Sequence, residues 1–86
     1  MKPYRSRIKI IMDILEAINR HGGKISTILT YANLSHDRCV KYLSELLDKG
    51  LIEREPEGYK LTEKGYNFLK ELKRAEKLAE AFGFKL

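Results

Sequence analysis

Cysteine occurs once, as Cys39, and glutamine not at all, in a chain of 86 residues. A lone cysteine excludes an internal disulfide framework and fits a reducing compartment. Cys39 therefore reads as a small core residue, with redox sensing as the alternative. No apolar run approaches the roughly 20 residues that cross a bilayer. The opening Met1-Lys2-Pro3-Tyr4-Arg5 leads into a charged amphipathic stretch without a signal-peptide apolar block. The expectation is a cytoplasmic protein that does not engage a membrane. No glycine-rich phosphate loop or nucleophile motif is present, and His21 and His36 lack metal-ligand spacing. Catalysis, a metal site and a cofactor find no support, and a small-molecule effector is not expected. The missing glutamine, with three asparagines and abundant Lys, Glu and Ile, leans towards a thermophile. Amides deamidate, and ion-pair networks gain relative value when hot.

What is present is an excess of positive charge. The formal charge is +5 and the pI near 9.4, which favours polyanionic partners. Lys2, Arg5, Arg7 and Lys9 all precede the first acidic residue, Asp13, and supply four of the five net charges. The rest of the chain is near neutral, so a uniformly basic coat is excluded. A chain this short buries only about 60% of its unfolded surface, and its thin core would gain from a partner subunit.

No repeat or linker interrupts the sequence. Ser6 can cap a first helix whose apolar positions, Ile8, Ile11, Met12, Leu15 and Ile18, step by three and four to form one stripe. His21-Gly22-Gly23 stops it. Lys24-Ile25 is long enough for only a scrap of strand, after which Ser26 or Thr27 starts a short second helix through Ile28, Leu29, Tyr31 and Ala32. Asn33 suits a turn, Leu34 can plug the core, and Ser35 caps a third helix running to about Lys49 with Cys39, Leu43, Leu46 and Leu47 inward. Gly50 ends it. Leu51-Ile52-Glu53-Arg54 reads as a strand, Glu55-Pro56-Glu57-Gly58 as a turn and Tyr59-Lys60-Leu61 as the return strand. Thr62 caps a last helix reaching about Phe82, where Gly83 closes it. This order predicts an α+β, mainly helical fold, a winged helix-turn-helix: helix, short strand, helix, helix, β-hairpin wing, then a long C-terminal coiled-coil helix. Residues 1–61 would form the DNA-binding domain with its basic arm, and residues 62–86 a dimerisation helix continuous with it.

The quoted elements carry a family resemblance. Ala32-Asn33-Leu34-Ser35, the later Lys41-Tyr42-Leu43, Asp48-Lys49-Gly50-Leu51-Ile52 and Leu61-Thr62-Glu63-Lys64-Gly65 resemble the archaeal winged-helix DNA-binding regulators of about ten kilodaltons. The resemblance runs from the first helix through Leu72. It implies dimerisation through an antiparallel coiled coil of the C-terminal helices.

A recognition helix places the first turns of its exposed face against base edges in the major groove. With Cys39, Leu43 and Leu46 inward, that face carries His36, Asp37, Arg38, Val40, Lys41 and Tyr42. Arg38 can form two hydrogen bonds to guanine, Lys41 can reach guanine or phosphate, and Val40 can touch a thymine methyl. Ser35 and the free N–H groups after it form a phosphate site. The plain alternative is a solvated helix face. Asp37 answers the helix dipole more readily than it contacts DNA. Arg54 and Lys60 flank the wing and can reach DNA, but the acidic tip of Glu55 and Glu57 should be repelled, so the wing either touches DNA or serves structure. Lys2, Arg5, Arg7 and Lys9 can follow phosphates or a minor groove, or simply open the first helix. From Glu63 to Phe82 the last helix spans about 30 Å. Tyr66 and Leu69 can pack back on wing and core, while Phe68, Leu72, Ala75, Ala79 and Phe82 step as a heptad seam for a second copy. The resulting expectation is a homodimeric, nucleoid-associated double-stranded DNA-binding protein, sequence-specific or architectural, serving transcription regulation. A winged-helix protein-interaction module and a single-stranded nucleic-acid binder stacking on Tyr4 or Tyr42 remain as alternatives.

Overall fold

The Ser6 hydroxyl accepts a hydrogen bond from the Lys9 backbone N–H at 3.1 Å and starts the first helix, α1 (Arg7–His21). The structure, a computed structural model, describes residues 5–86. Lys2 and Tyr4 of the expected arm lie outside them. α1 buries Ile10, Ile11, Met12, Ile14, Leu15, Ala17 and Ile18, a wider face than the single stripe expected. Ile8, placed inward by periodicity, is 41% exposed. The cause is position: α1 is the central helix and is packed against α2 (Ile25–Ala32), α4 (Glu63–Ala81) and the strand β2 (Gly58–Leu61). It ends at Gly22, whose φ of 98° suits glycine and whose N–H donates to the Ile18 carbonyl.

The expected strand at Lys24-Ile25 is corrected. Lys24 is extended but acts as the cap residue of α2, and the helix begins at Ile25, ahead of Ser26 and Thr27, with no side-chain cap. What stands in for the strand is one bond from the Tyr59 N–H to the Gly23 carbonyl at 2.9 Å. The backbones approach so closely that a Cβ on Gly23 would lie 1.5 Å from the Tyr59 oxygen. Two residues suffice for that contact, and nothing extends it into a ladder.

Asn33, left-handed at φ 54° and ψ 57°, turns the chain out of α2, and Leu34 is buried beneath the turn. Arg5 secures this corner. Its guanidinium donates to the Ala32 carbonyl at 2.6 Å, the Asn33 carbonyl at 2.8 Å and Asp13 Oδ2 at 2.9 Å. It thereby satisfies carbonyls that a helix end leaves open. Ser35 then caps α3 (His36–Asp48), accepting from the Arg38 N–H, and Cys39, Leu43 and Leu46 face the core.

The strand β1 (Ile52–Glu55) pairs antiparallel with β2 from Ile52↔Leu61 to Glu55↔Gly58, so Pro56-Glu57 make a two-residue turn. Thr62 then joins wing to helix. Its hydroxyl donates to the Gly50 carbonyl at 2.7 Å and accepts from the Gly65 N–H at 3.0 Å at the start of α4. Leu69 is buried, as expected, whereas Tyr66 is 47% exposed and does not pack into the core. Farther along, Lys9 reaches Glu76 at 2.9 Å and Asp13 at 3.6 Å, and Lys73 reaches Glu16 at 3.1 Å, lacing α4 to α1.

Three outcomes follow from this packing. In Gly65→Ala, helix propensity alone would stabilise by about 1 kcal/mol, but the new Cβ would lie 1.8 Å from the Leu51 carbonyl oxygen. Overpacking costs about 1–3 kcal/mol, so the denaturant midpoint should fall; an unchanged or raised midpoint contradicts this contact. Arg5→Ala removes charge-assisted bonds to two carbonyls and should lower unfolding free energy by about 1–3 kcal/mol in the same titration. For Lys9, the hydrogen bond to Glu76, with the nearby Asp13 charge, raises the ammonium above its ordinary 10.5 against the opposing effect of burial. A raised pKa stabilises fully below about pH 10.5 and is lost as pH climbs through the folded value. Stability of the native chain relative to Lys9→Met should therefore be constant at neutral pH and shrink above about pH 10.5.

Candidate nucleic-acid interface

Burial of Cys39, Leu43 and Leu46 fixes the rotation of α3 and turns His36, Asp37, Arg38, Val40 and Lys41 to solvent. Tyr42, expected on the open face, is half-buried, with its ring against the core cluster. Arg7 crosses from the first turn of α1 to meet it. The guanidinium pairs with Glu45 and lies 5.8 Å from the Tyr42 ring centroid. Glu45 first, and then Tyr42, hold Arg7 above its ordinary pKa, so it is a permanent cation here. Arg7, Arg38, Lys41, Tyr42 and Glu45 together line a concavity of about 330 Å³ on the α3 face. Glu45 was not anticipated. Its neighbour Arg7 is 38 residues away in sequence, and no local pattern signals the pair.

The other basic candidates lie elsewhere. Arg5, expected on phosphates, is instead bound to Asp13 and to the carbonyls at the end of α2, and Lys9 is bound to Glu76. On the wing, Lys60 pairs with its cross-strand neighbour Glu53 at 3.2 Å, and Arg54 lies 5.6 Å from the Tyr59 ring centroid. Glu55 and Glu57 are exposed at the tip. Arg38 and Lys41, by contrast, have no ion pair among the described residues. At the helix start the Ser35 hydroxyl sits 3.4 Å from the Arg38 N–H, and Asp37 lies 3.8 Å from the His36 ring nitrogen.

Along α4 the expected seam divides. Phe68 and Leu72 are half-buried against their own core, and Ala79 is half-buried as well. Ala75 is exposed, and so is Phe82 at 74%. Leu78, absent from the heptad reading, is 64% exposed and shares the open stripe. Among the described residues, no cluster of three or more His, Cys, Asp or Glu is placed to hold a metal, and no helix is long and apolar enough to cross a membrane.

Comparison with known proteins gives this arrangement a family. Over 72 residues the chain is 38% identical to an uncharacterized protein of Methanocaldococcus jannaschii, covering 79% of this chain and 73% of that one. Its fold resembles the crystal structure of Sso10a-2, a DNA-binding protein from Sulfolobus solfataricus, with a TM-score of 0.77 and 27% identity over 91% of this chain and 85% of the other. Residues 4–80 match the winged helix-turn-helix family model. On that match, and with α2, the Asn33 turn, α3 and the β1–β2 hairpin in the expected places, the chain belongs to the winged helix-turn-helix family.

Proposed function

We propose that this protein binds double-stranded DNA as a homodimer, each subunit laying α3 in the major groove. The observation that carries the reading is the convergence of Arg7, Arg38 and Lys41 around Tyr42 on the open side of α3. The likeness to a DNA-binding protein from Sulfolobus solfataricus supports it. Arg38 reads guanine through two hydrogen bonds, Lys41 reaches guanine or phosphate, and Val40 meets a thymine methyl. Ser35 and the first N–H groups of α3, beside His36, receive a phosphate. Arg7 supplies a second phosphate contact from α1, exchanging Glu45 for the backbone. Arg54 and Lys60 make the wing a subsidiary contact, with Glu55 and Glu57 held clear of DNA. Residues 1–61 act as the DNA-binding domain, and residues 62–86 as the dimerisation helix through Phe68, Leu72, Ala75, Ala79 and Phe82, with Leu78 added. Two recognition helices about 34 Å apart would match a palindromic site. Such a protein serves as a transcriptional regulator or an architectural component of the nucleoid.

The exposed acidic wing tip and Asp37 favour a second reading, docking of a protein partner. Duplex binding across a salt series separates the two. Affinity should fall linearly with salt on logarithmic axes, and Lys41→Ala should reduce the slope by about 1 per subunit if Lys41 holds a phosphate. Arg38→Ala alone should cost about 1–3 kcal/mol and relax preference at one base position. No duplex binding at low salt sinks the DNA reading and leaves the docking module.

A further inference from the structure

Beyond the seam, two apolar features have no partner among the described residues. One is a groove of about 270 Å³ where α1, α3 and α4 meet, floored by Ile11, Leu46 and Leu51 and edged by Ile8 and Phe68. The other is the segment after α4, where Phe82, Phe84 and Leu86 are 74%, 68% and 41% exposed. That segment is presented in a fixed pose. Gly83 turns left-handed at φ 88°, its N–H donates to the Glu80 carbonyl, and the Phe84 N–H donates to the Ala79 carbonyl at 2.8 Å. In such a Schellman ending the residue after the glycine usually packs on the helix three or four positions before its cap. Here those positions hold Ala79, too small to cover the ring, and Leu78, which at 64% exposed leaves the ring largely open.

The chain cannot seat this ring in its own groove. The fourteen helical steps from Phe68 to Phe82 put about 21 Å of helix between them, and two further residues reach at most ~7 Å. A second copy can. The apolar positions of α4 read nearly the same in both directions about Ala75: half-buried Phe68 and Leu72 answer exposed Phe82 and Leu78. Lys70 answers Glu80 and Arg74 answers Glu76, giving opposite charges across the pair. Antiparallel pairing about Ala75 thus brings each Phe82 beside the other copy's Phe68, at the edge of the groove. Parallel pairing would leave the two features a helix length apart.

We infer that Phe84 of each subunit, followed by Leu86, seats in the α1–α3–α4 groove of a second copy and braces its recognition helix. The inference rests on the dimer proposed above and names what that dimer buries beyond the helix seam. A stable interface buries about 800 Å² per partner. An aromatic side chain buries about 150–250 Å², so a seated Phe84 would add substantially to what the helix seam covers.

Disulfide trapping in a Cys39→Ala background tests seam and groove separately. Ala75→Cys should yield a covalent dimer on mild oxidation, since Ala75 meets its own copy. Ile8→Cys combined with Phe84→Cys should also yield a covalent dimer, while either substitution alone should not. A dimer from Ala75→Cys with none from the Ile8/Phe84 pair overturns the seating and leaves the seam standing. A pair that links within one chain overturns it too, and a protein that stays monomeric in both arms removes the dimer along with it. In the otherwise native chain, Phe84→Ala should weaken dimerisation at least tenfold by sedimentation; an unchanged dissociation constant counts against the groove.

Discussion

Ile14 and Leu15 are neighbours in sequence, and neither exposes any measurable surface. Adjacent helical residues point about 100° apart, so a helix buries both only when it is covered from more than one side. The rest of the structure meets that demand. α2 covers one side of α1, α4 and β2 cover others, and α3 closes the core through Cys39, Leu43 and Leu46. A domain of this size has no reserve of apolar surface. Removing a fully buried Ile or Leu from such a core typically costs about 2–5 kcal/mol, a large share of a small domain's stability. The glycines fit the same constraint. The wing reaches the loop after α1, and α4 reaches the chain at Leu51, only where a Cβ is absent at Gly23 and Gly65.

The positive charge is distributed by a similar logic. Several cations are fastened within the chain: Arg5 to the end of α2, Lys9 and Lys73 between α1 and α4, Lys64 to the Lys49 carbonyl at the end of α3, Lys60 across the wing. These contacts hold helices in register, and they also remove the charges from competition for a polyanion. Arg38 and Lys41 stay unpaired on the recognition face among the described residues, with Arg7 beside them. The Arg7–Glu45 pair is exposed on the Arg7 side, where solvent screens it. Arg7 is therefore oriented at little energetic expense and released as easily when a phosphate approaches. A net charge of +5 spread evenly would attract a polyanion without orienting it, whereas three cations on one face would do both.

Local chemistry is legible in the sequence for three of the four helix starts; at α2, Lys24 takes the cap position expected of Ser26 or Thr27. Ser6, Ser35 and Thr62 each cap the helix they were expected to cap, because a cap depends on residues three apart. The inward face of α3 and the two-residue turn of the wing are equally local. What was not legible is non-local. The stripe reading of α1 assumed one partner surface and so placed Ile8 inside and left out Ile10 and Ile14. Arg5 looked like a DNA contact because charge is visible in sequence, whereas carbonyls 27 and 28 residues away are not. The strand at Lys24-Ile25 reduces to one bond because strand pairing depends on what lies opposite. The heptad at Phe68 to Phe82 picks out an apolar stripe but cannot tell which of its members already face their own core. Hence Leu72 was named and Leu78 was not.

Arg7 and Glu45 border both the concavity on the α3 face and the apolar groove behind it. Anything seated in that groove therefore touches the residues that would orient the proposed phosphate contact. Fixing an arginine side chain costs rotamer entropy, and Glu45 and Tyr42 already carry part of that cost for Arg7. A ring from a second copy packed against the same arginine stem would restrict it further. In a dimer of that kind, assembly and recognition share side chains and do not merely lie on one molecule. A modest recognition face would then suffice, since a second half-site would be engaged at the high effective concentration that linkage supplies, with its arginine already oriented.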